Sequence, residues 1–225
     1  MSPTTFVNQL ASIHLTNVFN PYADICPVHD KKDAAAIRRK NLRNYLESLI
    51  SNGVDTVWMG RDLGYLGGRR TGLALTDEHH LPLVSKVYEG FIPVRATYGE
   101  PIKERTATEV WTLLRELPSP PLLWNVFQFH PHKPDEPFSN RKFSLKERKT
   151  ADEINAELIN WLRIKRVVGI GGDAATYAEQ FGLKTIAVRH PSYGGVTDFR
   201  QGIRREYRLK ALRAELRDTQ ESLFA

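Results

Sequence analysis

Apolar positions along the chain alternate between short unbroken runs and longer stretches of helical period. The runs VDTVWM (54–59), PLLWNVFQF (121–129), RVVGI (166–170) and KTIAV (184–188) have the length and bounding signals of buried strands. Between them lie helical patterns. Asp33 stands as a cap before AAAIRRKNLRNYLESLIS, which stops at Asn52-Gly53. Thr106 and Glu109 have capping-box spacing and predict a helix through Leu117, before Pro118. Thr150 and Glu153 repeat that spacing ahead of Ile154, Leu158, Trp161 and Leu162, which share one helical face. A helix from Ala174 to Phe181 is closed by Gly182, and a basic helix from Arg200 to Ser222 finishes the chain. The segment from His79 to Arg105 is punctuated by prolines and reads as a crossover loop with short helices.

Strands alternating with helices predict an α/β fold: a three-layer α/β/α sandwich around a four-stranded, mainly parallel sheet, in one domain over residues 1–225. Such sheets bind ligands beyond the carboxyl ends of their strands. Here those ends deliver GRDLG, NVFQFHPH, GGD and RHPS.

Composition narrows the classes. The 225 residues are 41% hydrophobic and 26% charged, ordinary for a globular protein, and no apolar run is long enough to cross a bilayer. The first residues lack the basic start and apolar core of a signal peptide, so a cytoplasmic protein is expected. One cysteine, Cys26, excludes an internal disulfide and a four-cysteine iron–sulfur site. A net charge of +6 favours polyanionic partners such as nucleic acid or phosphates, although a merely soluble basic protein has the same charge. The cations are densest at Arg69-Arg70, between Arg141 and Lys149, and between Arg200 and Arg217.

Three strand ends bring polar chemistry: Asp62, Asn125 and His190. An amide side chain can read a face holding both a carbonyl and an N–H, as a pyrimidine does. A histidine can stabilise an oxyanion developing on a leaving group. A carboxylate can position water and take its proton, or offset a cation-like sugar. Together these parts suit cleavage of a sugar–base bond. Singly, each is more often a turn residue, a structural histidine or an ion-pair partner.

Three segments resemble the uracil-DNA glycosylase superfamily. GRDLGYLGGRRTGLALTDE (60–78) is similar to its first motif and pocket loop, NVFQFHPH (125–132) to the strand whose asparagine reads uracil, and RHPSYGG (189–195) to its His-Pro-Ser loop. Order and spacing agree from about Asn20 to Tyr207. The resemblance implies a divergent member without an iron–sulfur cluster, which excises uracil from DNA by hydrolysing the N-glycosidic bond of a flipped-out nucleotide, with no metal and no cofactor. Its implied partner is uracil-containing DNA, its product uracil, and its state a monomer without membrane attachment. By resemblance, His190 would hold the departing uracil anion at O2 and Asn125 would bind O4 and N3–H. Gly60 would let the base approach. Ser192 and nearby amides, with Gly194, would grip phosphate, and Tyr193 would be the wedge filling the gap, or simply a tyrosine packed on the surface.

The first motif departs from the superfamily's common forms, Gly-Gln-Asp-Pro-Tyr-His and Gly-Glu-Ala-Pro-Gly. Gly60-Arg61-Asp62-Leu63-Gly64 keeps the aspartate of the first form, which activates water, and the terminal glycine of the second, which replaces a tyrosine that blocks a thymine methyl. Arg61 matches neither and is either a DNA contact or a neighbour that lowers the basicity of Asp62. Tyr65, one place on, is an alternative methyl block. Leu75 stands where the pocket loop carries a base-stacking aromatic; Phe127 or Phe129 is an alternative stacking partner, although alternating core packing along the strand is the favoured reading of both. Arg69 and Arg70 are expected to face phosphate. Two rivals stand beside this reading: a non-catalytic or covalent uracil-DNA binder in which Arg61 quenches Asp62, and a nucleoside or nucleotide binder. Weaker signals are Cys26-Pro-Val-His29 and His130-Pro-His132 as metal-like pairs, Gly171-Gly172-Asp173 as a phosphate cradle or tight turn, and Ser139-Asn140-Arg141 as a backbone contact or turn.

Overall fold

A computed structural model describes residues 1–209. In chain order the elements are α1 (Pro3–Ala11), β1 (Val18–Phe19), α2 (Ala34–Asn52), β2 (Thr56–Asp62), α3 (Gly68–Thr71), α4 (Leu81–Val87), α5 (Arg105–Leu114), β3 (Leu122–Phe127), β4 (His130–Pro131), α6 (Leu145–Leu162), β5 (Arg166–Ile170), α7 (Gly172–Glu179), β6 (Lys184–Val188) and α8 (Val196–Tyr207). Four strands form one parallel sheet in the order β3-β2-β5-β6; β1 and β4 make a small antiparallel pair.

Two tryptophans show how the sheet is covered. Trp58 pairs with Leu123, so the next residue, Trp124, emerges on the opposite face. Trp58 donates to the Tyr207 hydroxyl of α8 at 2.7 Å. Trp124 donates to Asn155 of α6 at 2.8 Å and packs on Phe6 of α1. Helices therefore lie on both faces, giving the three layers expected. Asn155 in turn donates to the Val126 carbonyl and the Tyr177 hydroxyl, satisfying a buried amide and fixing α6 and α7 against β3.

Several boundaries differ from the sequence expectation. β2 runs on through Asp62, and Leu63 still donates to the Phe129 carbonyl at 3.1 Å. The strand thus extends three residues past Met59, where the apolar run ends. The capping box of α6 is Ser144 with Glu147 rather than Thr150 with Glu153; both pairs fit the pattern, and Arg141 grips Glu147 at 2.6 and 2.9 Å to favour the earlier start. Thr106 and Glu109 form no cap. Glu104 precedes α5, Glu109 is bound by Arg200 of α8 at 2.7 Å, and the helix ends at Leu114. Asp33 makes no capping bond. α8 starts at Val196 and stops at Tyr207, where Arg208 adopts a left-handed conformation; the remainder of the basic helix expected to Ser222 lies outside the described residues. α1 and β1 had no sequence expectation.

α7 begins directly after β5 because Gly169 leaves no side chain between them. A Cβ there would meet the Ala175 backbone at 2.5–2.6 Å. Gly169→Ala is expected to lower stability by about 1–3 kcal/mol through overpacking, read as a reduced urea midpoint with unchanged slope.

Candidate active site

The carboxyl ends of β2, β3, β5 and β6 open into a cavity of about 480 Å3, within the range of ligand pockets. Gly60, Arg61, Asp62, Leu63 and Gly64 come from β2 and the turn after it, Asn125 from β3, and His190 and Ser192 from the loop after β6. The structure thus brings together the three strand-end residues expected to act.

The floor depends on strand register. Gly60 pairs with Asn125, and a Cβ at Gly60 would stand 2.5 Å from Asn125 Oδ1 and 3.1 Å from Leu75. The missing side chain is the room the amide occupies. Asn125 is 1% exposed and its Oδ1 has no hydrogen-bond partner among the described residues. Buried polar atoms are rarely left unpaired, so an orphaned oxygen at a pocket floor points to a ligand donor. Leu75 sits over the same strand with φ of 54° and lines the pocket, as expected of its loop.

Asp62 faces the pocket with its side chain 8% exposed; Arg61 reaches round from the same strand to donate to Oδ2 at 2.5 Å. Burial lifts the Asp62 carboxyl above the usual carboxylate range, and the Arg61 guanidinium holds back part of that rise. Arg61 also lies 3.9 Å from Asp173 at the start of α7, which pairs with Lys142 at 2.7 Å.

His190 Nδ1 accepts the Ser192 backbone N–H at 3.2 Å and lies 2.7 Å from the Ser192 hydroxyl. Burial and the nearby Arg61 and Arg189 hold its pKa below the usual histidine value. A neutral ring with Nδ1 accepting carries its proton on Nε2, which is left to donate. The loop around it is tight. A Cβ at Gly195 would collide with the His190 carbonyl, and Tyr193 has φ of 51°, rare for a bulky residue, while being 94% exposed. Gly194 continues the turn with φ of 78° and does not line the cavity.

Other expectations are corrected. Arg69 and Arg70 do not face outward: they are 3% and 8% exposed. Arg69 donates to the Pro137 carbonyl, lies 3.1 Å from His130 Nδ1 and stacks 4.1 Å over the Phe19 ring. Arg70 pairs with Glu78 at 3.0 Å. Both cations are consumed in holding the pocket loop. His130 is no free ligand either. Nε2 meets the Ser139 carbonyl at 2.9 Å, Nδ1 faces Arg69, and burial beside that guanidinium lowers its pKa to about 3. Tyr65 does not line the cavity; its backbone N–H donates to Asn140. Phe127 and Phe129 are core, 0% and 1% exposed. Among the described residues no cluster of three or more metal-ligating side chains occurs, and no helix is long and apolar enough to cross a membrane.

The pocket also contains Glu104, which sequence reasoning did not select, together with Asp173, Arg189 and Asn140, which it named only within longer motifs. Glu104 comes from the proline-rich crossover. Its backbone N–H is held by Asp77 at 2.6 Å, and no pattern in the sequence links the two.

The fold is an α/β sandwich with its pocket at the strand ends. Among solved structures the chain is similar to SMUG2 of Pedobacter heparinus, a member of the uracil-DNA glycosylase superfamily, with a TM-score of 0.59 over 92% of this chain and 96% of that one at 12% identity. No family model and no curated protein sequence matches the chain.

Two outcomes check this site. Arg70→Ala leaves the Glu78 carboxylate buried without its cation and is expected to cost about 3–5 kcal/mol in urea unfolding. Arg61→Ala removes the only cation on Asp62 Oδ2 among the described residues, so the Asp62 titration followed by carboxyl-carbon NMR is expected to move to higher pH.

Proposed function

We propose that this protein is a DNA glycosylase that hydrolyses the bond between deoxyribose and uracil in a nucleotide turned out of the DNA. The observation that carries the reading is the buried Asn125 amide oxygen, unpaired among the described residues and set in one pocket with a neutral histidine donor and a buried carboxylate. Asn125 Oδ1 accepts uracil N3–H while Nδ2 donates to O4. Cytosine presents the inverse pattern, an acceptor at N3 and a donor at C4, and meets like with like.

The glycosidic C–N bond breaks with its electron pair leaving on the base. His190 Nε2–H donates to O2 as the negative charge develops there, which costs no reorganisation because Ser192 already fixes the ring. Asp62 stands against the cationic sugar, orients a water toward the anomeric carbon and takes its proton, so that the products are free base and an abasic sugar. Arg61 keeps the carboxylate in one orientation. Tyr193, exposed on a strained turn, fills the gap left by the extruded nucleotide, whose unstacking costs a few kcal/mol. With Arg69 and Arg70 internal, phosphate contact falls to the exposed Arg189, to Ser192 and to the amides near Gly194.

The Arg61–Asp62 pair favours a second reading, a uracil-DNA binder with a quenched carboxylate. Single-stranded and duplex oligonucleotides containing U, T, hypoxanthine or C, treated with the protein and then alkali, separate the two. Cleavage at U is expected, and none in either context overturns the proposal. Asp62→Asn is expected to lower turnover about 100- to 10,000-fold and His190→Ala about 100- to 1,000-fold, with uracil-DNA binding retained. Unchanged turnover in Asp62→Asn supports the binder. The Asp62 carboxylate acts only when ionised, so the rate falls on the acid side as pH drops through its raised pKa.

A further inference from the structure

Glu104 is a charged pocket residue that this mechanism does not use. It precedes α5, and its carboxylate lies over two bare glycines of the loop after β2. A Cβ at Gly64 would stand 3.2 Å from Oε1, and one at Gly67 would collide with Oε2. Glycine at both positions is therefore the room that Glu104 fills. The acid is partly buried, and among the described residues its carboxylate has no hydrogen bond or ion pair. Its place is fixed from behind: Asp77 Oδ2 holds the Glu104 N–H, while Asp77 Oδ1 holds His80.

The edge it meets follows by elimination and rests on the glycosylase reading above. A pyrimidine offers N1 to the sugar, O2 to His190, and N3–H with O4 to Asn125. Carbons 5 and 6 are left, and Glu104 fills the room over Gly64, the position that the first-motif resemblance links to a substituent at carbon 5. We propose that Glu104 is a specificity-determining residue, which admits bases bearing hydrogen at carbon 5 and rejects those bearing an alkyl group there. A methyl pressed against this carboxyl strips water from a polar group and returns no hydrogen bond. A C5–H leaves the carboxyl its solvation.

Glu104 also makes the pocket sensitive to pH. Burial, reinforced by the Asp77 carboxylate, pushes its carboxyl up to about 7. Below that it is neutral, and above it the added charge opposes the anion forming on the base. The other charged or titratable groups around the pocket are Arg61, Asp62, Asp173, Arg189 and His190, with His80 behind Asp77.

The test compares the wild-type chain with Glu104→Ala and Glu104→Gln on oligonucleotides carrying U or T between pH 5.5 and 8.5, alongside their unfolding transitions. Glu104→Ala opens the room above Gly64 and Gly67. The ratio of thymine to uracil cleavage is expected to rise about 10-fold or more, the scale of one methyl in a shaped pocket. Glu104→Gln keeps the size of the side chain and is expected to lose the decline in uracil cleavage that the wild type shows as pH rises through about 7. A thymine-to-uracil ratio in a folded Glu104→Ala equal to that of the wild type overturns the inference. Should that variant not fold, a pH profile of Glu104→Gln identical to the wild type overturns it instead. Absence of uracil cleavage by the wild type overturns the glycosylase reading, and is thereby distinct from failure of this one.

Discussion

The pairing of Gly60 with Asn125 is the constraint on which the pocket depends. Two parallel strands place these residues side by side on one face, and only the absence of a Cβ at 60 leaves space for an amide at 125. A slip of one residue would turn the asparagine to the opposite face, among the side chains that pack on α6. The register is held by Trp58 and Trp124, locked to helices on opposite sides of the sheet. A hydrophobic core thus sets the position of a polar atom that has no partner among the described residues.

Around that floor the electrostatics are a contest between burial and proximity. Asp62 loses solvent and gains Arg61, with burial the larger effect. His190 loses solvent near two cations and stays neutral, which preserves an N–H donor aimed by Ser192. Glu104 loses solvent beside the Asp77 carboxylate, and both effects push its carboxyl up to about 7. The same helix-and-loop scaffold therefore gives two carboxylates different characters, one tethered to an arginine and one left beside bare glycines.

Much of this arrangement was legible in the sequence. Four apolar runs became the four strands of the sheet, and the polar residues at their ends converged as parallel topology requires. The helices were harder to bound. Two capping-box patterns lay six residues apart before α6, and only Arg141 closing on Glu147 shows which one caps. The paired arginines after the first motif looked like a surface for phosphate. Their charge was visible but their partners were not, since Arg70 is neutralised by Glu78 and Arg69 is enclosed by Phe19, Pro137 and Phe138.

The sequence by itself determined the layered α/β architecture and the trio of Asp62, Asn125 and His190, because hydrophobic period and strand-end position are local properties of the chain. Tertiary structure decided what local patterns cannot carry. It turned Arg69 and Arg70 inward, drew Arg61 onto Asp62, and brought Glu104 from a crossover forty residues away to stand over Gly64 and Gly67. The physical reason is that charge and solvation are set by whatever the fold packs nearby, and those neighbours come from distant parts of the chain.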